Sequence, residues 1–202
     1  HNLGSVPGMI MVKMTSSNDS WNVYHKDAGE THYLNLNSTG PAIDNDTRWN
    51  DTAPTDSVFT IGDDAGVNLA GQTFIAYLFA DNSSNEIKCG TFSNNTGNWG
   101  TPASEDAIVD CGFEPQFIIS KLATRPTDPA WSNLGGGWYV MDSTRGWGTG
   151  YNQSIQTNET NAEAPDNNFN FTPTSTGFVV TEVSPGDHIY LAIGSPKLSV
   201  SN

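Results

Sequence analysis

The residues of this 202-residue chain with the most specific chemistry are six tryptophans, four histidines and two cysteines. Trp49, Trp99, Trp131 and Trp147 lie near polar, Gly-rich stretches. An indole exposed in such a loop stacks on a sugar face or fills a partner's pocket. At the end of a β-sandwich the same indole plugs the core. Both readings fit, so these four are the candidate glycan- or partner-binding residues. Trp21 and Trp138 differ: they recur in register within a repeated pattern and belong to the fold.

Metal and hydrolytic chemistry find less support. Zinc sites need ligands at tight spacing, His-x₃₋₅-His or Cys-x₂-Cys. His1, His25, His32 and His188 do not provide it, and no metal site is expected. His25 aligns with Asp142 in the repeat described below, and it reads as a surface or turn histidine. There is no Gly-x-Ser-x-Gly elbow for a nucleophile. A glycosidase needs two carboxylates across a cleft. Glu30, Asp142, Glu159, Glu163 and Asp166 sit in or near loops, and nothing selects a pair among them. Oxygen-rich stretches at Gly62–Gly66, Asp81–Glu86 and Ala162–Asn168 make calcium the one candidate cofactor. None has the EF-hand pattern, and solvated turns are the favoured reading. The expectation is a non-enzymatic protein without a cofactor.

The charge balance narrows the partners. Eight Lys and Arg against 22 Asp and Glu give a net charge of −14. A nucleic-acid binder needs a basic footprint, which is missing. Adhesion to anionic lipid is disfavoured for the same reason, and no apolar run has the length of a membrane-spanning helix. Charged residues make up 15% of the chain, against about 25% in an ordinary soluble domain. Asn, Ser, Thr and Gly supply the polarity instead, a composition suited to short strands and turns.

The elements that must position these residues occur in two series. "LGSVPGMIMVK" from Leu3 aligns with "CGFEPQFIISK" from Cys111 without a gap. "WNVYHKDAG" from Trp21 aligns with "WYVMDSTRG" from Trp138, "APTDSVFTI" from Ala53 with "TPTSTGFVV" from Thr172, and "FIAYLFA" from Phe74 with "HIYLAIG" from His188. The offset changes where turn residues cluster, as duplicated folds with variable loops require. The blocks are rich in β-branched and aromatic residues and bounded by turn signals. The helical candidates are short, around Glu159–Ala164. The expected fold is all-β: two tandem β-sandwich, jelly-roll-like modules related by internal duplication, 1–85 and 86–202, with a linker near 81–85.

The second module begins with two further strand-like pieces, "EIKCGTFS" and "AIVDC". Together they read as a hairpin with Cys89 and Cys111 near its open end. That makes Cys89–Cys111 a candidate disulfide, with two free thiols as the alternative. The first module lacks this hairpin, so upstream chain, another subunit or a neighbouring protein should cover the region around His1.

The ordered blocks "HNLGSVPGMIMVK", "VYHKDAG", "WNDTAPTDSVFTIG" and "FIAYLFA", with their second copies, resemble a repeat of bacteriophage virion proteins. That family comprises tail-fibre and other structural proteins of marine and aquatic phages, often beside concanavalin-like modules. The resemblance covers nearly the whole chain and implies a virion-associated, extracellular β-sandwich with no catalytic residues to carry over. The implied role is a tail-fibre, spike or capsid-decoration component that contacts other virion subunits, is oligomeric in the assembly and adheres to a host-surface glycan. The alternatives are a filament subunit joined by strand donation, with "SPKLSVSN" (195–202) as donor, and a lectin-like module. Nine Asn-x-Ser/Thr sequons, at Asn18, Asn37, Asn45, Asn50, Asn82, Asn94, Asn152, Asn158 and Asn170, are idle in a phage protein but open to glycans in an archaeal filament or virus.

Overall fold

Apolar alternation does produce strands, and in the computed structural model these strands form three antiparallel sheets. The structure describes residues 1–96, 108–124, 136–147, 152–166 and 169–195. Sheet one contains β1 (Pro7–Met14), β2 (Asn22–His25), β3 (His32–Asn35), β4 (Ile43–Asp44) and β5 (Phe74–Ala80), in the order β4-β3-β2-β1-β5. Sheet two contains β6 (Ile87–Asn94), β8 (Pro115–Thr124), β9 (Trp138–Asp142), β10 (Asn152–Gln156), β11 (Ala164–Asp166) and β14 (Gly186–Gly194), in the order β11-β10-β9-β8-β14-β6. Sheet three contains β7 (Ile108–Asp110), β12 (Asn170–Thr174) and β13 (Gly177–Glu182), in the order β12-β13-β7. The protein is all-β, with sandwich packing between the layers.

Three cores separate the layers. Met9, Val23 and Leu34 of sheet one meet Cys89, Ile119, Trp138, Ile189 and Leu191 of sheet two. The opposite face of sheet two carries Phe92, Ile118, Met141 and Tyr190, which meet Val109, Phe171, Phe178 and Val180 of sheet three. The opposite face of sheet one carries Ile10, Val12 and Tyr24. Two four-residue helices cover that face, α1 (Asp46–Trp49) and α2 (Ala65–Asn68), and they supply Trp49 and Val67. Asn45 and Asp64 cap the helices, accepting from Thr47 N and Gly66 N. Each fully buried large apolar side chain contributes roughly 1.5–3 kcal/mol, so the three cores, rather than helix propensity, hold the layers.

Polar bonds lock sheet one to sheet two. Trp138 Nε1 donates to Asn35 O at 2.9 Å, Thr157 Oγ1 to Leu36 O at 2.6 Å, and Ala42 N to Ala123 O at 2.9 Å. Gly8 sets how closely the sheets approach: a Cβ there would lie 2.7 Å from the Cys89 side chain.

The registers of the two large sheets correspond residue by residue. Ile10 pairs with Tyr24 and Leu78, while Ile118 pairs with Met141 and Ala192. Met11 pairs with Val23 and Tyr77, while Ile119 pairs with Val140 and Leu191. Strands β1 to β5 thus hold the places in sheet one that β8, β9, β10, β11 and β14 hold in sheet two. Gly4 and Gly112 precede the matching strands with φ of 75° and 78°. That left-handed backbone favours glycine, and a glycine stands before each of the two strands.

Several expectations fail. β6 and β7 do not form a hairpin: β6 pairs with β14 and β7 with β13, in different sheets. "APTDSVFTI" is not a strand, although its aligned counterpart spans β12 and β13; residues 53–61 run as loop in the layer over sheet one. The only helix-like region expected, Glu159–Ala164, is loop that enters β11, whereas the described α-helices lie at α1 and α2.

Candidate functional site

β5 gives the molecule its open edge. On one side it is paired with β1; on the other, among the described residues, no strand is hydrogen-bonded to it. The matching strand β14 is paired on both sides, with β8 and with β6. The consequence appears in exposure. Ile75 and Tyr77 are 41% and 45% exposed, while their counterparts Ile189 and Leu191 are 2% and 1% exposed. Ile75 and Tyr77 point to the same side as Met11 and Phe79, which pack against the core between the sheets. The Trp21 ring lies 6.0 Å from that of Tyr77, and Lys13 pairs with Ile75 in the ladder. The edge is therefore an uncharged strand, "FIAYLFA", beside a small apolar and aromatic surface.

The buried titratable groups serve the layers. His25 is completely buried in β2, which corrects its reading as a surface or turn histidine. Its Nε2 lies 3.0 Å from Tyr190 O and its Nδ1 accepts from Asp27 N at 3.2 Å. A carbonyl can only accept, so Nε2 carries the proton and the ring is neutral. Burial is the main cause of its lowered pKa. His188 stacks on Phe92 at 5.0 Å and donates from Nε2 to Ser184 O at 2.9 Å, and burial pushes it down to about 4. Lys121 is also fully buried; its ammonium donates to Ser38 O at 3.0 Å and to Gly136 O, and lies 5.6 Å from the centre of a Trp138 ring. A buried cation needs such partners.

Several of the described carboxylates are already engaged within the fold. Asp142 pairs with Arg145, and Glu163 lies 3.9 Å from the same guanidinium. Asp142 also accepts from Thr144 N and Arg145 N. Glu30 is half-buried near the turn after β2, and Glu159 accepts from Asn161. Of the calcium candidates, Asp64 is an α2 cap paired with Arg48 at 3.0 Å, and Asp81 pairs with Lys26 and Lys88, each at 3.4 Å. Among the described residues no group of three or more His, Cys, Asp and Glu is arranged to hold a metal. A cleft of about 360 Å³ opens between sheets one and two, lined by Asp27, His32, Thr91, Ser93 and Asp187 among others. Ser93 Oγ already donates to Asp187 there, at 2.6 Å.

The four candidate tryptophans separate. Trp49 is 2% exposed, donates from Nε1 to His32 O at 3.0 Å and packs edge-on to Tyr24. It plugs the core over sheet one, so its reading as a surface binding residue is corrected. Trp147 is half-buried against the core between sheets two and three. Trp99 and Trp131 lie outside the described residues, as does the tail proposed as a donor strand beyond Ser195.

The disulfide is also corrected. Cys89 and Cys111 are free and buried in different cores, on opposite faces of sheet two. The Cys111 thiol donates to the Tyr190 hydroxyl at 4.0 Å. The bridge was expected from a hairpin that does not form.

Sequence reasoning located the gap at His1; the structure locates the unpaired edge along β5. Two signals could have found it: β5 contains no charged residue, and the alignment provides β14 with a preceding strand that β5 lacks. Among the described residues no helix is long and apolar enough to cross a membrane. Comparison with protein families matches residues 1–193 to DUF7483, a domain of unknown function. No curated protein and no solved structure matches the chain.

Proposed function

Because the chain belongs to the DUF7483 family, whose description assigns no function, we propose a role from geometry and resemblance: a non-enzymatic structural protein of a virion, in a tail fibre, spike or capsid decoration. Its two large sheets are units of one duplicated pattern. The observation that carries this reading is the shared register, in which β1 with β2 and β5 repeats β8 with β9 and β14, each strand keeping its own offset along its length. Repetition of one stiff layered unit is how extended structural proteins are commonly built. The buried ionisable groups support it, since His25 and Lys121 bond across layers instead of facing a cleft. In this role the partners are other virion subunits and a host-surface glycan, not nucleic acid or membrane, and the location is the particle or the extracellular space. Mass spectrometry of purified particles from the encoding virus tests it. The protein should appear among the structural components, and tail or capsid genes should flank its reading frame. Absence from intact particles would sink the virion role.

The second reading is an extracellular filament subunit joined by strand donation. The open edge of β5 favours it.

A further inference from the structure

We propose that the open edge of β5 receives, antiparallel, a strand of β6 chemistry from a neighbouring polypeptide. This deepens the structural reading and rests on the correspondence of the two sheets. The molecule contains its own template. β14 matches β5 position by position, and the strand beside β14 is β6. The β6 ladder therefore says what a strand beside β5 looks like. Thr91 and Cys89 pair with Ile189 and Leu191, the counterparts of Ile75 and Tyr77. Gly90 pairs with Tyr190, the counterpart of Ala76. The donor is thus an extended segment of about eight residues, with small or β-branched side chains opposite Ile75 and Tyr77.

Two further observations favour an incoming strand over plain solvent. The surface beside the edge continues a buried face: Phe79, on the same strand and side as Ile75 and Tyr77, packs against the core between sheets one and two. β5 also carries none of the features that protect an edge, having no charge, no proline and no bulge at Ile75–Tyr77. The other described strands already have their places in the three sheets, so none of them is the donor.

The test uses a labelled peptide with the β6 sequence, Ile87–Asn94 carrying Cys89→Ser, added to the intact chain. Binding is followed by fluorescence anisotropy and by hydrogen exchange at Phe74–Ala80. The expected result is saturable binding with new protection in β5. Tyr77→Lys, a substitution at an exposed position, should weaken it by about tenfold or more. N-methylation of alternate peptide bonds should abolish binding in one phase and spare it in the other, because only one edge of the donor pairs with β5. Displacement of native β6 from β14 would instead protect nothing in β5 and ignore Tyr77→Lys, and it would overturn the proposal. So would equal binding of a scrambled peptide, no binding, or a β5-to-β5 dimer seen by light scattering and abolished by Tyr77→Lys. Failure here leaves the particle result untouched, and absence from particles leaves peptide binding untouched, so the two readings fail separately.

Discussion

His25 Nε2 donates to the carbonyl oxygen of Tyr190 at 3.0 Å, a single bond that crosses from sheet one to sheet two. It ties the two large sheets together through an imidazole that must stay neutral, because Nδ1 is already accepting from Asp27 N.

Acid should therefore weaken the fold. Burial holds His25 below the ordinary histidine value and His188 at about 4. Unfolded, each titrates near 6.5. Below that pH the unfolded chain binds more protons, so stability falls as pH drops. Stability is full above about pH 6.5 and is progressively lost toward pH 4, with His188 alone accounting for on the order of 3 kcal/mol. Urea midpoints from pH 7.5 to 4.5 check this. His188→Phe keeps the ring stack and should flatten the acid limb relative to the parent chain.

Lys121 and Lys13 occupy matching positions in the two sheets but should respond differently to loss of charge. Lys121→Met leaves the Ser38 and Gly136 carbonyls without their shared donor, a loss of about 2 kcal/mol. Lys13 is half-buried and donates only to Met14 O. Lys13→Met should change stability by less than about 0.5 kcal/mol. Equal effects in urea denaturation would contradict the asymmetry.

The thiols should be inert in the folded protein. Burial is the main cause that raises Cys111 to about 11 and Cys89 still further. Only a thiolate reacts readily. Alkylation at pH 8 should proceed only on unfolding, and reductant should leave both mass and melting temperature unchanged. A two-dalton mass increase on reduction would reveal a bridge.

Trp49→Ala should cost roughly 3–5 kcal/mol, because it empties a fully buried site. Trp147→Ala, at a half-buried site, should cost less. If any glycan array signal exists, Trp147→Ala is the informative variant, since Trp49→Ala would lose binding by unfolding.

The sequons divide by burial. Asn94, Asn152 and Asn170 are buried with their side chains engaged, Asn94 on Val183 O, Asn152 on Phe171 N and Asn170 on Asn152 N. Asn18, Asn37 and Asn50 are exposed. Intact mass and peptide mapping after expression in a glycosylating host should place any sugar on the exposed three and none on the buried three.

Much of the strand pattern was legible because apolar alternation is local. The register itself came from the structure, where the pairing of Ile10 with Tyr24 matches that of Ile118 with Met141. Which sheet a strand joins is not local. β6 and β7 are neighbours in sequence and read as a hairpin, yet β6 lies across the core from β7 because each finds a partner far along the chain, β14 and β13. The same limit hid the thiols. Residues 53–61 carry a strand-like pattern but face a layer of loops and short helices, where no ladder partner waits. His25 was misread because its value lies in a carbonyl 165 residues away.

The central placement of β1 and β14 has a mechanical consequence. β1 lies between β2 and β5, and β14 between β8 and β6. These are the first and last of the described strands, and each is clamped by ladders on both flanks. Antiparallel hydrogen bonds lie across the strand direction. Tension applied through the two ends of this body would load paired ladders in shear, so that many bonds share the force and must yield together.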